Sequence, residues 1–194
     1  MAISSPPRRQ SDGNLAWLDL EMTGLDPERD VIVQAALIIT DRDLVPLEEF
    51  VCDVWQPPAL LAGMTPFVRK MHTTSGLLGR LPEARQDVRD AERELLTRVA
   101  GWCPHPAILC GNSIWNDRKF LDRGMLGLSR YLHYRMLDVS AFKVAAQLYR
   151  PEALFRKSEA GQHDALVDVR NSIAEFQHYR RVLLQGGSAL PTGT

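Results

Sequence analysis

The chain has 194 residues, and its 23 lysine and arginine side chains nearly balance its 24 aspartate and glutamate side chains, for a formal net charge of -1. Proteins that coat long nucleic acids or that anchor to anionic membranes carry a large positive surplus, so this balance argues against both classes. Hydrophobic residues make up 45% of the sequence and charged residues 24%, which is typical of one globular domain.

The two ends of the chain differ in composition from the middle. Residues 1–14 and 186–194 are rich in serine, proline and glycine, and we expect them to be flexible tails around one domain at residues 15–185. No stretch predicts a membrane span or a secretory signal. Three cysteines (Cys52, Cys103 and Cys110) cannot form a complete set of internal disulfides, so we expect reduced thiols in a cytoplasmic protein.

In chain order, the predicted elements begin with three strands, at Leu15–Met22, 31–40 and 44–54. Helices follow at residues 66–75 and 82–102, then a short strand at 107–110, a helix at 117–126, a strand near 135–137 and a helix at Val139–Tyr149. A final helix begins near His163. Three strands followed by alternating strands and helices predict an α/β fold, with a mixed β-sheet flanked by α-helices.

Acidic side chains occur inside the first predicted strand, where apolar residues are expected. Asp19 and Glu21 are two residues apart and therefore project from one face of that strand. Two adjacent carboxylates resist joint ionisation unless a cation lies between them, which favours a metal site. A solvent-facing edge strand with ordinary acidic residues explains the pair equally well at this point.

Two later segments add acids and a histidine. Asp117 follows the strand at 107–110, where ligands usually gather in α/β sheets, although an acid there also suits a helix amino terminus. His163 and Asp168 would lie about 140° apart on a helix, so they share a site only if His163 lies at or before the helix start. Divalent cations bind carboxylates, and phosphodiester cleavage by two ions needs several acids and a proton acceptor such as neutral histidine.

At these residues the sequence resembles the DEDD exonuclease superfamily, in the subgroup whose last motif carries histidine, and more narrowly the oligoribonuclease family. The resemblance extends from about Leu15 to Tyr179. It is carried by LDLEMTGLDP at 18–27, MHTTSGL at 71–77, GNSI at 111–114, HYRMLDVS at 133–140 and HDALVD at 163–168. It implies a ribonuclease H-like fold and a 3′-to-5′ exoribonuclease that degrades short RNAs, especially dinucleotides, to nucleoside 5′-monophosphates.

The resemblance also implies which residues carry out the chemistry. Asp19, Glu21, Asp117 and Asp168 would hold two divalent ions, Mg²⁺ or Mn²⁺. His163 would be the general base that takes a proton from the attacking water. The ions would stabilise the charge on the phosphoryl oxygens and on the leaving oxygen.

A second group of residues is implied to bind the substrate. Leu25 would be an apolar wedge against the bases, and Phe67 would stack on a base. Ser113, Arg135 and Ser140 would grasp the 5′-terminal phosphate, and the planar guanidinium of arginine suits this task because it binds phosphate oxygens in pairs. Packing explains Leu25 as well, and capping of the helix that begins at Val139 explains Ser140.

The resemblance further implies a homodimer, in which His72 and Tyr134 would be supplied to that phosphate site by the other subunit, although Tyr134 could also simply pack. Some positions depart from the family pattern. Phe67 stands where tryptophan is usual, Gln34 where an acidic residue is common, Trp115 where a small residue is frequent, and Val167 where a second aspartate is frequent. None of these departures removes an implied metal ligand.

Two other functions fit the same residues. One is a trimming or proofreading exonuclease that acts on the 3′ ends of longer RNA or DNA, and the other is a catalytically silent nucleotide-binding module. A blocked 5′ end predicts that the rate falls steeply as the substrate grows beyond two nucleotides, whereas a trimming enzyme tolerates length. A silent module would not hydrolyse a dinucleotide with or without EDTA.

Overall fold

The computed structural model describes residues 9–156 and 164–185. Within these residues, five strands form one sheet in the order β3-β2-β1-β4-β5: β1 (Leu15–Met22), β2 (Ile32–Thr40), β3 (Pro46–Asp53), β4 (Ala107–Gly111) and β5 (Leu132–Asp138). The pairs β1–β2 and β2–β3 are antiparallel, whereas β1–β4 and β4–β5 are parallel. The predicted mixed sheet is therefore confirmed.

The helices of the described part of the chain are α1 (Pro58–Ala62), α2 (Pro66–Thr74), α3 (Leu77–Arg80), α4 (Val88–Trp102), α5 (Trp115–Gly124), α6 (Leu126–Tyr131), α7 (Val139–Tyr149) and α8 (Ala165–Tyr179). Short 3₁₀ helices lie at Leu81–Glu83 and Pro151–Ala153, and a π-helix at Arg180–Gln185 continues from α8. None of the helices described is long and apolar enough to cross a membrane.

Helices cover both faces of the sheet, which explains why the apolar run of β2 is buried along its whole length. On one face, Leu18 and Leu20 of β1 join a core with residues of α4, α5 and α6. On the other face, Trp17 packs against residues of α7 and α8, and its ring centroid lies 5.6 Å from that of Phe176. Because side chains alternate along a strand, Asp19 and Glu21 lie on the α8 side of the sheet, like Trp17.

Several element boundaries differ from the sequence prediction. The helix predicted at 82–102 begins only at Val88, since the Asp87 carboxylate accepts hydrogen bonds from two amides of the first turn. The helix predicted at 117–126 is observed as α5, Trp115–Gly124, and the separate helix α6 that follows it was not predicted. Strand β5 is seven residues long, although we predicted only 135–137. Its polar or exposed residues His133, Tyr134 and Arg135 lie on an edge strand and leave no apolar run that would indicate its length.

The amino-terminal residues that precede β1 contact the end of α4. The Gln10 side chain donates to the carbonyl of Ala100, and the Ser11 amide and the Asn14 side chain donate to the carbonyl of Trp102. Residues 1–8 and 186–194, which make up most of the two expected tails, lie outside the described residues.

Candidate active site

Three carboxylates meet where β1 ends and α8 begins. Asp19 and Glu21 come from β1 and Asp168 from the first turn of α8, and each offers an oxygen within 4.8 Å of the others. The start of α8 is set by Asp164, whose carboxylate accepts a hydrogen bond from the amide of Val167 at 3.2 Å. The structure therefore brings together three of the four acids that the sequence singled out.

The fourth acid, Asp117, lies in the first turn of α5 and is buried. One of its carboxylate oxygens accepts a hydrogen bond from the Leu20 amide at 2.8 Å, which ties α5 to the acid-bearing strand. Burial raises the pKa of Asp117 to about 7, and the hydrogen bond from Leu20 opposes that shift. Asp117 is outside the three-acid cluster, but its charge acts on Glu21 in that cluster.

The electrostatics of the cluster fit a bound cation. Burial, with the charges of Asp168, Asp117 and Asp164, raises the pKa of Glu21 to about 8. A carboxyl group in this position gives up its proton readily only when a positive charge compensates the neighbouring carboxylates. Closely spaced carboxylate oxygens are the ligands that Mg²⁺ and Mn²⁺ prefer, so the donor set matches the ions implied by the sequence.

His72 lies beside this cluster. It is fully buried in α2, its Nε2 is 2.8 Å from the carbonyl oxygen of Met22, and its Nδ1 is 3.8 Å from Oε2 of Glu21. Within its own chain, the His72 side chain therefore lies next to Glu21, in a contact that depends on how α2 packs against the end of β1. The expectation that another subunit supplies His72 to the phosphate site stays a prediction.

His163, the expected general base, lies outside the described residues, as do all residues from 157 to 163. The description resumes at Asp164, which precedes the first residue of α8. The general-base assignment therefore stays a prediction.

A cavity of about 350 Å³ opens next to the acids. Its lining includes the three clustered acids together with apolar residues of β1, the β1–β2 loop and α2: Leu20, Met22, Leu25, Phe67, Val68 and Met71. Leu25 is 69% exposed and Phe67 is 74% exposed. Large apolar side chains with this much exposure beside an acidic cluster offer planar or wedge-shaped contacts for a nucleobase.

The loop that carries Leu25 is held in place by Asp30. The Asp30 carboxylate accepts hydrogen bonds from the Thr23 hydroxyl and the Asp26 amide, each at 3.0 Å. A side chain at position 24 would place its Cβ 2.3 Å from an Asp30 oxygen, so the close approach of Asp30 requires Gly24. Asp30 was not among the residues predicted from the sequence, although its position in an Asp-rich turn is a recognisable turn signal.

The two serines of the expected phosphate site lie around one carboxylate. An oxygen of Asp138 accepts hydrogen bonds from the Ser113 amide at 2.9 Å, the Ser140 amide at 2.9 Å and the Ser140 hydroxyl at 2.5 Å. Asp138 is the N-cap of α7, and Ser113 has a left-handed backbone with φ of 55°. Sequence reasoning missed this role of Asp138, although an aspartate just before a helix is a typical capping signal.

Arg135 and Tyr134 lie on β5, at the edge of the sheet. The guanidinium carbon of Arg135 is 5.1 Å from the centroid of the Tyr134 ring, and that ring also stacks on His133 at 4.4 Å. Tyr134 is exposed and is not among the residues that line the cavity at the acids.

Comparisons with known proteins agree with this geometry. The family model of the RNase_T exonucleases matches residues 16–176. An oligoribonuclease of Ectopseudomonas mendocina is 43% identical over 178 residues, which cover 91% of this chain and 99% of that protein. Oligoribonucleases of Pseudomonas aeruginosa (strain PAO1) and Vibrio cholerae are 45% and 42% identical, over 88% and 90% of this chain and 96% and 98% of theirs.

Solved structures with similar folds include exonuclease I of Methylocaldum szegediense, with a TM-score of 0.64 and 19% identity, and a zinc-bound E. coli exonuclease I in complex with single-stranded DNA, with a TM-score of 0.65 and 16% identity. Each match covers 89% of this chain but only 41% and 42% of those longer chains. At this identity they establish the fold, which is ribonuclease H-like. With its match to the family model and its relatives at more than 40% identity along nearly their whole length, the chain belongs to the oligoribonuclease family of RNase_T exonucleases.

Proposed function

We propose that this protein is a metal-dependent 3′-to-5′ exoribonuclease that hydrolyses short oligoribonucleotides, dinucleotides above all, to nucleoside 5′-monophosphates. The observation that carries the proposal is the group of three carboxylates at the mouth of a cavity lined by exposed Leu25 and Phe67. The names of the relatives support the same reaction class.

Four acids would hold two Mg²⁺ or Mn²⁺ ions: Asp19, Glu21, Asp168 and Asp117. When bound, the ions activate the attacking water and stabilise the charge that develops on the phosphoryl and leaving oxygens. Asp19, Glu21 and Asp168 converge directly. One carboxylate oxygen of Asp117 already accepts a hydrogen bond from the Leu20 amide. Asp117 would therefore contact an ion through its other oxygen or through a water molecule.

His163 would accept the proton of the attacking water. In the sequence it directly precedes Asp164, the N-cap of α8, and Asp168 lies in the first turn of that helix. A neutral histidine at this point accepts a proton near physiological pH, where a free carboxylate is a much weaker base.

Leu25 and Phe67 would hold the bases, while Ser113, Arg135 and Ser140 would hold the 5′-terminal phosphate. Asp138 supports this second part of the site because it keeps both serines together at the amino end of α7. The near-neutral charge of the chain fits a short substrate, since a dinucleotide brings only one or two phosphates and releases few counterions.

A homodimer completes this proposal. On β5 and α7, large apolar side chains are exposed to solvent: Tyr134, Val144, Leu148 and Tyr149. A second copy of this chain that packs on this face would bury them and bring Tyr134 towards the phosphate site of its partner. We further propose a cytoplasmic location, because all three cysteines are free thiols in the structure.

Initial rates on 5′-phosphorylated RNAs of two to about seven nucleotides, with Mg²⁺ or Mn²⁺, test the substrate assignment. We expect the dinucleotide to be cleaved fastest and the rate to fall steeply with each added nucleotide, because the 5′ phosphate binds at a fixed distance from the acids. A rate that stays constant with length would favour the trimming enzyme. Absence of hydrolysis with or without EDTA would favour a silent nucleotide-binding module.

A further inference from the structure

We infer that Gln34 is a positioning residue for the metal site, acting together with Asp53 and Arg80. Gln34 lies on β2 directly opposite Glu21 of β1, so the two side chains project from the same face of the sheet. It is 2% exposed, and it is the buried polar neighbour of the acid cluster on the adjacent strand. This inference rests on the proposed role of Asp168 as a metal ligand.

Both polar atoms of the Gln34 side-chain amide form hydrogen bonds. Its oxygen accepts a hydrogen bond from the backbone amide of Ala165 at 3.0 Å, and its nitrogen donates to a carboxylate oxygen of Asp53 at 2.7 Å. Ala165 is the first residue of α8. Gln34 thus connects the central part of the sheet to the first turn of the helix that carries Asp168.

Asp53 is anchored in turn by Arg80. The Nε and Nη2 atoms of Arg80 donate to the two oxygens of Asp53 at 2.8 and 3.4 Å. The two contacts fix the plane of the Asp53 carboxylate, and this orients the Gln34 amide so that its oxygen faces α8. A continuous chain of hydrogen bonds therefore runs from α3, through β3 and β2, to the amino end of α8.

The amino end of α8 is a sensitive point because the first amides of a helix have no partner within the helix. Asp164 accepts from Val167, and its carbonyl accepts from the Asp168 amide at 2.9 Å, so these contacts hold the first turn together. The bond from Ala165 to Gln34 attaches that turn to the sheet. The position of Asp168 relative to Asp19 and Glu21 depends on this attachment.

The chemistry of the amide explains why glutamine suits this position. A carboxylate at position 34 could still accept from Ala165 but could not donate to Asp53, and two carboxylates would then face each other at hydrogen-bond distance. It would also add a negative charge opposite Glu21, whose pKa is already raised by burial and by neighbouring acids. The neutral amide connects the two elements without adding charge.

The test compares Gln34→Leu with a matched control, Gln56→Leu. Gln56 is also buried and its side chain donates to the carbonyl of Ile32 on the same strand, but no described contact connects it to α8. Mn²⁺ binding is measured by titration calorimetry at fixed pH, together with the rise in melting temperature caused by Mn²⁺ and the Mn²⁺ concentration that gives half-maximal dinucleotide cleavage.

We expect Gln34→Leu to weaken Mn²⁺ binding about 10- to 100-fold, as is typical when a residue that orients a metal ligand is lost. The Mn²⁺-induced rise in melting temperature shrinks accordingly. Gln56→Leu lowers the metal-free melting temperature but leaves the Mn²⁺ affinity as in the wild type. Equal Mn²⁺ affinity in Gln34→Leu and the wild type would overturn the inference, and so would an equal loss in both variants, which indicates a general effect on β2.

Three further variants keep the test decisive if Gln34→Leu fails to fold. Arg80→Met removes the far end of the hydrogen-bond chain at a half-exposed position, and we expect a smaller loss of Mn²⁺ affinity with little loss of stability. In Gln34→Glu the lost donor weakens binding, and adding Asp53→Asn restores a donor between the two positions and recovers affinity. If Arg80→Met leaves the Mn²⁺ affinity unchanged and Asp53→Asn does not restore the affinity of Gln34→Glu, the inference is rejected. If the wild type itself binds no Mn²⁺, the proposed function fails instead, so the two outcomes are distinguishable.

Discussion

At the acid cluster, Glu21, His72 and Gln34 are buried, whereas on the β5–α7 face Tyr134 and Tyr149 are largely exposed. The buried residues are held by contacts from several elements of the same chain. On the exposed face, the described ring contacts of Tyr134 are with His133 and Arg135 of the same strand. The difference is the basis of our proposal that one subunit would supply the metal-binding part of the site and that a second subunit would contribute Tyr134 to the substrate-binding part.

The largest effect is expected when a clustered acid is removed. Asp19→Ala or Asp168→Ala takes a ligand from the three-acid group, so metal-dependent cleavage of a dinucleotide should fall by several orders of magnitude. Glu83→Ala, which removes an exposed acid outside the cavity, serves as the control. Circular dichroism verifies that the variants are folded. Turnover at the wild-type rate in either folded variant would contradict the metal assignment.

The next largest effect concerns the proposed base. His163→Ala should slow the chemical step about 10²- to 10⁴-fold, because the attacking water loses its proton acceptor. Mn²⁺ binding should change little, since the carboxylates are intact. Single-turnover rates and titration calorimetry measure the two quantities separately, and His105→Ala changes an exposed histidine as the control. An unchanged single-turnover rate would exclude this role for His163.

The proposed role of Tyr134 on the exposed β5–α7 face is tested by mixing two variants. Tyr134→Ala should lower kcat/KM about 10- to 100-fold if its hydroxyl binds the substrate phosphate. Neither Tyr134→Ala nor Asp19→Ala alone should be fully active. A mixed dimer of the two, however, contains one site with an intact Asp19 and a partner Tyr134, so activity should reappear after subunit exchange. No recovery, with dimers shown by light scattering, would mean that Tyr134 acts within its own chain or not at all.

The smallest effect is a pH dependence of stability without metal. The pKa of Glu21 is about 8 in the fold and has an ordinary value of 4.5, so between these pH values the folded state keeps a proton that the unfolded state releases. The free energy of unfolding should therefore fall as the pH rises through this window, by up to about 1.4 kcal/mol per pH unit for one such group. Asp117, with a pKa of about 7, adds to the slope below pH 7.

Urea denaturation in EDTA from pH 5 to 8 measures this slope. Glu21→Gln removes the titrating group and should flatten the curve, while also abolishing most of the stabilisation by Mn²⁺. Since metal binding must displace these protons, Mn²⁺ affinity of the wild type should rise over the same window. A slope that is the same in the wild type and in Glu21→Gln would show that the acid cluster does not control it.

The acids that form the cluster could be predicted from the sequence because local rules place them. The alternation of side chains along β1 puts Asp19 and Glu21 on one face, and helix geometry puts Asp168 in the first turn of α8. The order of strands and helices was sufficient to predict the mixed sheet, since β2, α4 and α8 have clear apolar patterns of their own. The motif resemblance then indicated which family these residues belong to.

Contacts between distant segments were decided only by the tertiary structure. His72 is 50 residues from the Met22 carbonyl that it contacts, and Gln34 is 131 residues from Ala165. No local pattern specifies such pairs, because they depend on how α2 and α8 pack against the sheet. The sequence therefore determined the chemistry of the site and the elements that carry it. Packing decided which side chains are buried beside the acids and which are left exposed.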